Sequence, residues 1–226
     1  MDFKSFIKQL SRRNWFFYQT INNVKSLYGS IHCCFGGGIK INKGNCVRLD
    51  KNIVGSNNYF EAGDDCVIDH LSLHIIGSNN IIEIGDKCTI QKGCALWIIG
   101  NNCKVTIGDD TRIGANCAIE VQEDNQCIEI GNDNLWSHNI RLRNNDSHYI
   151  YDTITGDRTN YPKPIKIGNH VWIAAYATVL KRVTINDGAV IGTHALVTKD
   201  IPNNVVAAGI PAKVLQSNIE WSDNPK

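Results

Sequence analysis

The residue in this chain best suited to acid–base chemistry is a histidine in a long polar segment. His148 lies within RNNDSHYIYDTITGDRTNYPKPIK, which joins Leu142 to Ile167. Imidazole titrates near pH 6.5, so at neutral pH it can accept a proton from a hydroxyl group that attacks a carbonyl carbon. Because a lone histidine is more often an ordinary surface or core residue, the place of His148 in the fold has to decide between these interpretations.

The remaining histidines do not indicate a metal site. They are His32, His70, His74, His138, His170 and His194. No pair among them has the spacing of a zinc-binding motif, and no CxxC accompanies them. We therefore expect no bound metal.

A six-residue repeat must position the polar segment. Aliphatic residues recur every six positions at Ile167, Ile173, Val179, Ile185, Ile191 and Val197. Four positions after each of the first five stands a small apolar residue: Val171, Ala177, Val183, Ala189 and Ala195. Three short strands and three turns close a triangular coil of 18 residues, and stacked coils bury a continuous apolar core. An alternating strand pattern of period two does not fit.

The same repeat runs earlier with an insertion in each coil. Ile84, Ile107 and Ile130 each begin a set of three ladder residues and lie 23 residues apart, so about five residues are added per coil. The small position is held by Cys66, Cys88, Cys94, Thr111 and Cys117. A thiol is a small apolar group that fits a tight corner, which accounts for part of the cysteine content.

The polar segment with His148 is the fourth insertion of this series. It adds about 19 residues where the preceding coils add about five. Long loops on a rigid scaffold are where binding and catalytic residues concentrate. The repeat therefore predicts a protruding loop over residues 143–166, on the same edge as the short insertions.

Charge and cysteine content limit the classes of protein to which this chain could belong. The 226 residues carry a formal net charge of +1, so no global field attracts nucleic acid. Nine cysteines are an odd number, and no signal peptide or membrane-spanning stretch accompanies them. We expect reduced thiols in a cytoplasmic protein.

The first 29 residues have helical spacing, with apolar residues such as Phe3, Phe6 and Leu10 among Lys and Arg. We interpret residues 1–29 as a helical cap on the solenoid. A basic amphipathic element with weak contact to the inner membrane surface stays open as the alternative. The predicted division continues with a β-helix domain over 30–215 and a short C-terminal tail over 216–226.

The repeat motif resembles that of the hexapeptide-repeat acyltransferases over about residues 60–200. The run VIGTHALVTKDIPNNVVAAGIPAKVL (190–215) is similar to the coenzyme A end of the galactoside, maltose and polysaccharide O-acetyltransferases. This resemblance implies an all-β protein built on a left-handed parallel β-helix. It also implies a homotrimer, with acetyl-CoA lying in the groove between adjacent β-helices.

The resemblance also implies roles for particular residues. In the galactoside and sialic-acid-polymer enzymes the catalytic histidine opens an equivalent loop and a tryptophan follows 24 residues later, as Trp172 follows His148 here. His148 is then the general base, and Trp172 shapes the acetyl and acceptor pocket. Asp146 and nearby backbone carbonyls are the candidates to orient the imidazole.

Coenzyme and acceptor contacts follow from the same resemblance. The coenzyme-binding candidates are Ala175, Thr193, Thr198, Lys199 and Lys213. A second basic position common in the galactoside enzymes is Gln216 here, which leaves the arrangement for phosphate binding open. Asn116 aligns with an asparagine that touches the sugar, and an ordinary turn asparagine is the equal alternative.

Three functions are compatible with these observations. The first is O-acetylation of a sugar hydroxyl in a surface polysaccharide, such as capsule or O-antigen of lipopolysaccharide, or in its precursor. The second is N- or O-acetylation of a small or nucleotide-linked sugar. The third, a non-catalytic β-helix scaffold, predicts flat threonine-rich faces and no long loop, so the loop argues against it.

Overall fold

The computed structural model describes residues 38–225, and within this range the chain is built from strands, turns and loops without a helix. The all-β parallel solenoid expected from the repeat is confirmed. The helical cap predicted over residues 1–29 lies outside the described residues.

Twenty-one strands follow one another within residues 38–225. They are β1 (Ile39–Ile41), β2 (Cys46–Val54), β3 (Tyr59–Ala62), β4 (Val67–Ile76), β5 (Ile81–Ile84), β6 (Thr89–Ile90), β7 (Ala95–Ile99), β8 (Lys104–Ile107), β9 (Arg112–Ile113), β10 (Ala118–Gln122), β11 (Cys127–Ile130), β12 (Leu135–Trp136), β13 (Arg141–Arg143), β14 (Ile165–Ile167), β15 (Trp172–Ile173), β16 (Thr178–Leu180), β17 (Thr184–Ile185), β18 (Val190–Ile191), β19 (Leu196–Val197), β20 (Val205–Gly209) and β21 (Ala212–Ser217). Most have two to five residues, as a triangular coil with a turn at each corner requires.

The strands form three faces of a prism. Face A is a parallel sheet in the order β1-β3-β5-β8-β11-β14-β17. Faces B and C are two halves of a second sheet joined at β4, which bends around a corner and pairs with β6 on face B and with β7 on face C. Face B continues through β9, β12, β15, β18 and β20, and face C through β10, β13, β16 and β19.

The ladder residues that the sequence predicts to stack are paired between strands of successive coils. Ile84 pairs with Ile107, Ile107 with Ile130, Ile130 with Ile167, and Ile167 with Ile185. All five side chains belong to the buried core. Each coil alone exposes its apolar face, so the stack of coils supplies the burial that stabilises the fold.

The small position does more than fill space. The thiol of Cys66 donates to the Gly85 carbonyl of the next coil at 3.1 Å, and the thiol of Cys88 donates to Gly108 at 3.1 Å. The Thr111 hydroxyl makes the equivalent bond at 3.0 Å. Cysteine and threonine are therefore alternatives at this position because both are small and carry a donor.

The edge between faces C and A carries the insertions, as predicted. Short turns at residues 77–80, 100–103 and 123–126 leave it in successive coils. The long segment leaves the same edge, after β13 on face C and before β14 on face A. His148 is therefore held on a loop whose two ends are fixed by neighbouring strands of a rigid stack.

The C-terminal part folds back on the solenoid. Strand β21 turns back and pairs antiparallel with β20, and Trp221 is then buried against the solenoid. Within residues 38–225 no helix is long and apolar enough to cross a membrane. The seven cysteines in this range are free thiols.

Candidate active site

The base of the long loop is fixed by buried asparagines. Asn144 continues the ladder of the preceding coil, since its side chain accepts a hydrogen bond from Gln122 N at 2.8 Å and donates to Gln122 O at 3.1 Å. Asn145 donates to the Gln122 side-chain oxygen at 2.7 Å. Both asparagines are buried, so the loop starts from a fixed backbone.

A sharp turn then presents His148. Ser147 has a left-handed backbone with φ 64°, and its N–H donates to the Asn145 side chain at 3.1 Å. Arg143 donates to the Ser147 hydroxyl at 2.7 Å. His148 itself is exposed, and within residues 38–225 its imidazole makes no hydrogen bond. The ring is therefore accessible to a substrate.

Asp146 is engaged away from the imidazole. Its Oδ2 accepts hydrogen bonds from Lys181 Nζ at 2.5 Å and from Asn160 Nδ2 at 3.0 Å. Burial opposes ionisation, but these two hydrogen bonds outweigh it and hold the pKa of the Asp146 carboxyl below its ordinary value. Asp146 was one candidate to orient His148, but among the described residues it makes no hydrogen bond or ion pair with the imidazole.

The returning half of the loop is held by an arginine. Arg158 binds Glu123 of the preceding coil in a bidentate pair, with Nη1 2.7 Å from Oε2. Its guanidinium lies 4.6 Å from the Tyr149 ring centroid and 4.7 Å from that of Tyr161. The hydrogen bonds to Glu123 raise the pKa of Arg158, which stays cationic throughout.

Trp172 lies on face B, outside the loop. It is the first residue of β15 and is 39% exposed. The C-terminal Trp221 lies beside it, with 6.1 Å between ring centroids. Trp221 stacks on His170 at 4.0 Å and donates its indole N–H to the His170 carbonyl at 2.8 Å. An ion pair between Arg112 and Asp223 also holds this segment on face B.

Two of the predicted coenzyme residues meet at the edge between faces B and C. The Thr193 hydroxyl donates to the Ala175 carbonyl of the preceding coil at 2.9 Å. Asn116 lies on the same edge at a turn position with φ 59°. In the same two turns the rings of Tyr176 and His194 stack, with 4.7 Å between their centroids.

The other coenzyme candidates lie elsewhere on the surface. Thr198 and Lys199 are exposed and follow β19, on the edge that carries the His148 loop. Lys213 is exposed on β21, opposite Ala208 of β20. Both ammonium groups are therefore accessible to a phosphate.

One chain does not bring all predicted site residues together. The His148 loop is fixed on the C–A edge through Gln122, Glu123 and Lys181, whereas Trp172 projects from face B. In a triangular prism, face B lies opposite the C–A edge. The base and the tryptophan of one chain are therefore on opposite sides of the solenoid.

Sequence reasoning missed three residues of this region: Asn160, Lys181 and Trp221. Asn160 and Lys181 have no sequence signal, because the contact of Asn160 with His148 spans 12 residues and that of Lys181 with Asp146 spans 35. Trp221 had one, since a tryptophan in a polar terminal segment is unusual. Within residues 38–225 no cluster of three or more His, Cys, Asp or Glu could hold a metal ion.

Comparison with known proteins agrees with the class that this fold and repeat define. The family described as bacterial transferase hexapeptide (six repeats) matches residues 164–199. The predicted resemblance to hexapeptide-repeat acyltransferases is thereby confirmed.

Individual relatives extend the similarity. The chain is 45% identical over 69 residues to the galactoside O-acetyltransferase of Escherichia coli (strain K12), a stretch that covers 30% of this chain and 34% of that protein. It is 34% identical over 85 residues to the polysialic acid O-acetyltransferase of Escherichia coli O1:K1 / APEC, covering 38% of this chain and 28% of that protein. The matched stretch thus spans about a third of these curated relatives.

Solved structures match over a longer range. The polySia specific acetyltransferase NeuO superposes with a TM-score of 0.64 at 28% identity, covering 84% of this chain and 90% of that one. The polysialic acid O-acetyltransferase OatWY gives 0.68 at 28% identity, covering 84% and 93%.

Proposed function

We propose that this protein is an O-acetyltransferase that moves an acetyl group from acetyl-CoA to a sugar hydroxyl, with His148 as general base. The observation that carries the proposal is the exposed imidazole on a loop whose base is rigidly fixed. The acetyltransferase relatives, similar over most of the described chain, support it.

The reaction is a direct transfer in a ternary complex. The acceptor oxygen attacks the thioester carbonyl carbon while His148 takes the hydroxyl proton. The carbon–sulfur bond then breaks, the acetyl group stays on the sugar, and the imidazolium returns the proton to the leaving thiolate. No covalent enzyme intermediate is needed, because both substrates are bound together.

A second copy of the chain completes the site in this proposal. The base and Trp172 lie on opposite sides of one solenoid, so the loop of one protomer would meet face B of its neighbour. A closed ring of three such contacts is the homotrimer that the resemblance implies, with left-handed coils. Ala175, Thr193, Thr198, Lys199 and Lys213 would line the groove for acetyl-CoA.

The acceptor that we propose is a bacterial surface polysaccharide, capsule or O-antigen, or its precursor. The similarity to two polysialic acid acetyltransferases over 84% of the chain favours a polymer. A small sugar is the second candidate, favoured by the 45% identity to the galactoside enzyme. Asn116 would contact either acceptor. We propose a cytoplasmic location, where acetyl-CoA is available.

Mass spectrometry of candidate glycans after incubation with acetyl-CoA tests the activity. We expect one acetyl group per modified sugar, and His148→Ala lowers turnover by about 10²–10⁴-fold, the usual range for a positioned general base. Near-normal turnover of that variant contradicts the role of His148.

The variant Trp172→Ala tests whether this tryptophan shapes the acetyl and acceptor pocket or binds the coenzyme. We expect impaired transfer with little change in CoA affinity, measured by calorimetry. A large loss of CoA affinity would place Trp172 in the coenzyme site instead.

A further inference from the structure

The loop that carries His148 has a buried amide at its centre. Asn160 stands on the returning half of the loop, is only 7% exposed, and faces the segment that presents the histidine. A buried amide must find partners for its oxygen and its nitrogen. In this loop all the partners belong to the loop itself.

The side chain of Asn160 joins the outgoing and returning halves of the loop. Its Nδ2 donates to the His148 carbonyl at 2.7 Å and to Asp146 Oδ2 at 3.0 Å. Its Oδ1 accepts from Ile150 N at 2.8 Å and from Arg158 Nε at 3.3 Å. Both protons and both lone-pair directions of the amide are used.

These contacts hold His148 on both sides. One bond fixes the carbonyl of His148, and another fixes the N–H of Ile150 two residues later. The remaining bond to Asp146 continues to Lys181, which follows strand β16 of the next coil. The backbone around the imidazole is therefore tied through Asn160 to the rigid stack.

From this geometry we infer that Asn160 is a positioning residue for His148, acting through the backbone of the loop rather than through the substrates. The inference rests on the proposed function, because it assigns Asn160 to the same reaction. Displacement of a catalytic group by about 1 Å lowers rates by about 10²-fold. Loss of Asn160 leaves the His148 carbonyl and the Ile150 amide without their partner, and the segment between them becomes free to shift.

The test compares Asn160→Ala and Asn160→Asp with wild type. Aspartate keeps the size and the acceptor for Ile150 N, but it cannot donate to the His148 carbonyl, and it sets a second carboxylate beside Asp146. We expect kcat to fall about 10- to 100-fold in both variants, while KM for acetyl-CoA stays within about twofold, because the coenzyme candidates lie on other turns and strands.

Asp152→Asn is the matched control. Asp152 Oδ1 accepts from Ile154 N at 2.8 Å and Thr155 N at 2.9 Å at the far end of the same loop. This variant weakens the loop tip without touching the contacts of Asn160, so we expect turnover within about twofold of wild type. An equal fall in kcat would show that general loop rigidity matters and would overturn the specific role of Asn160.

Amide hydrogen exchange supplies a readout that does not depend on activity. We expect faster exchange at residues 147–151 in both Asn160 variants and unchanged exchange there in Asp152→Asn. Unchanged exchange in Asn160→Ala overturns the inference. So does a rise in KM for acetyl-CoA with unchanged kcat, which assigns Asn160 to binding.

Parallel assays separate this inference from the proposed function. If wild type acetylates no glycan, the proposed function fails. If wild type is active, His148→Ala is inactive, and Asn160→Asp keeps full turnover, only the positioning role fails. Should Asn160→Ala not fold, Asn160→Asp decides alone.

Discussion

Two kinds of connection leave the edge between faces C and A, and they are stabilised in different ways. The short turns at residues 77–80 and 100–103 stack on one another and repeat the same contacts, such as Ser78 N donating to Asn101 Oδ1 and Asn102 N donating to Ser78 O. The long loop at 144–164 has no equivalent to stack on. Beyond Asn144, which continues the ladder of the short turns, its order comes from contacts that occur once, among them those of Asn145, Arg158 and Asn160.

Because of this difference, we expect the short turns to determine the stability of the fold and the long loop to determine the activity. A turn that stacks between two others transmits any distortion to both neighbours, because the coils are close-packed. A loop held by a few buried amides can loosen while the coils stay intact. Substitutions in the short turns should therefore lower the free energy of unfolding, and substitutions in the long loop should mainly change the reaction.

The largest effect is expected from a glycine in each kind of connection. A Cβ added at Gly77 would lie 1.9 Å from the Gly100 carbonyl oxygen, at φ 136°, whereas a Cβ at Gly156 meets nothing within 4 Å, at φ 75°. We expect Gly77→Ala to lower the free energy of unfolding by more than about 3 kcal/mol. Gly156→Ala carries only the cost of a left-handed alanine, about 1–2 kcal/mol. Denaturant unfolding measures both, and equal losses would contradict the comparison.

A buried amide of the short turns comes next. Asn80 donates to Gly100 O at 2.9 Å and accepts from Cys103 N at 2.8 Å. Asn80→Ala leaves these buried groups without partners, at about 1–3 kcal/mol. We expect thermal unfolding at a lower temperature with unchanged kcat. Ser56→Ala, on the exposed side of this edge, is the control and should change stability by less than about 0.5 kcal/mol. A lower kcat in Asn80→Ala would show that the stack and the loop are coupled.

The C-terminal segment around Trp221, like the long loop, is held on the solenoid by contacts that have no counterparts in other coils. Trp221→Ala removes the stack on His170 and the indole hydrogen bond, which we expect to lower stability by about 1–2 kcal/mol. Exposure of Trp172 should rise as well. Acrylamide quenching of Trp221→Ala, compared with the same variant carrying Trp172→Phe, measures that exposure. Unchanged quenching would show that Trp221 does not cover Trp172.

The smallest effect concerns pH. Because hydrogen bonds from Lys181 and Asn160 depress the pKa of Asp146, its ionised contacts stabilise the loop above the ordinary carboxyl pKa and are lost as pH falls through the depressed value. Corrected amide exchange at residues 144–150 should therefore stay constant from about pH 5 to 8 and rise only below about pH 4. Asp146→Asn should remove the change at low pH. A transition between pH 5 and 7 would mean that another group controls the loop.

The repeat explains why so much of the fold was predictable. Equivalent residues recur in every coil, so the spacing of Ile84, Ile107 and Ile130 predicted which residues pair between strands. The 23-residue spacing also predicted the edge from which the long loop leaves. Candidate site residues were identifiable from the sequence only where they resemble a known motif, as for His148 and Trp172, whose roles stay predictions. Asn160 and Trp221 were not, because nothing repeats in the segments where they lie and their partners are set by tertiary contacts.

The coils next to the bent strand β4 form a unit whose removal or duplication would change the length of the solenoid. Every side chain proposed for the site lies in the coil of Asn116 or after it, so the three preceding coils among the described residues, here called the shaft, hold none of the proposed site residues. Residues 78–100 make up one unit of that shaft, and Gly77 and Gly100 begin equivalent turns. Removing or duplicating this unit would move the site along the axis by about 4.8 Å, the spacing of neighbouring strands, while its own groups keep their arrangement. The position of the site along the solenoid axis can therefore change without a change in the arrangement of its side chains.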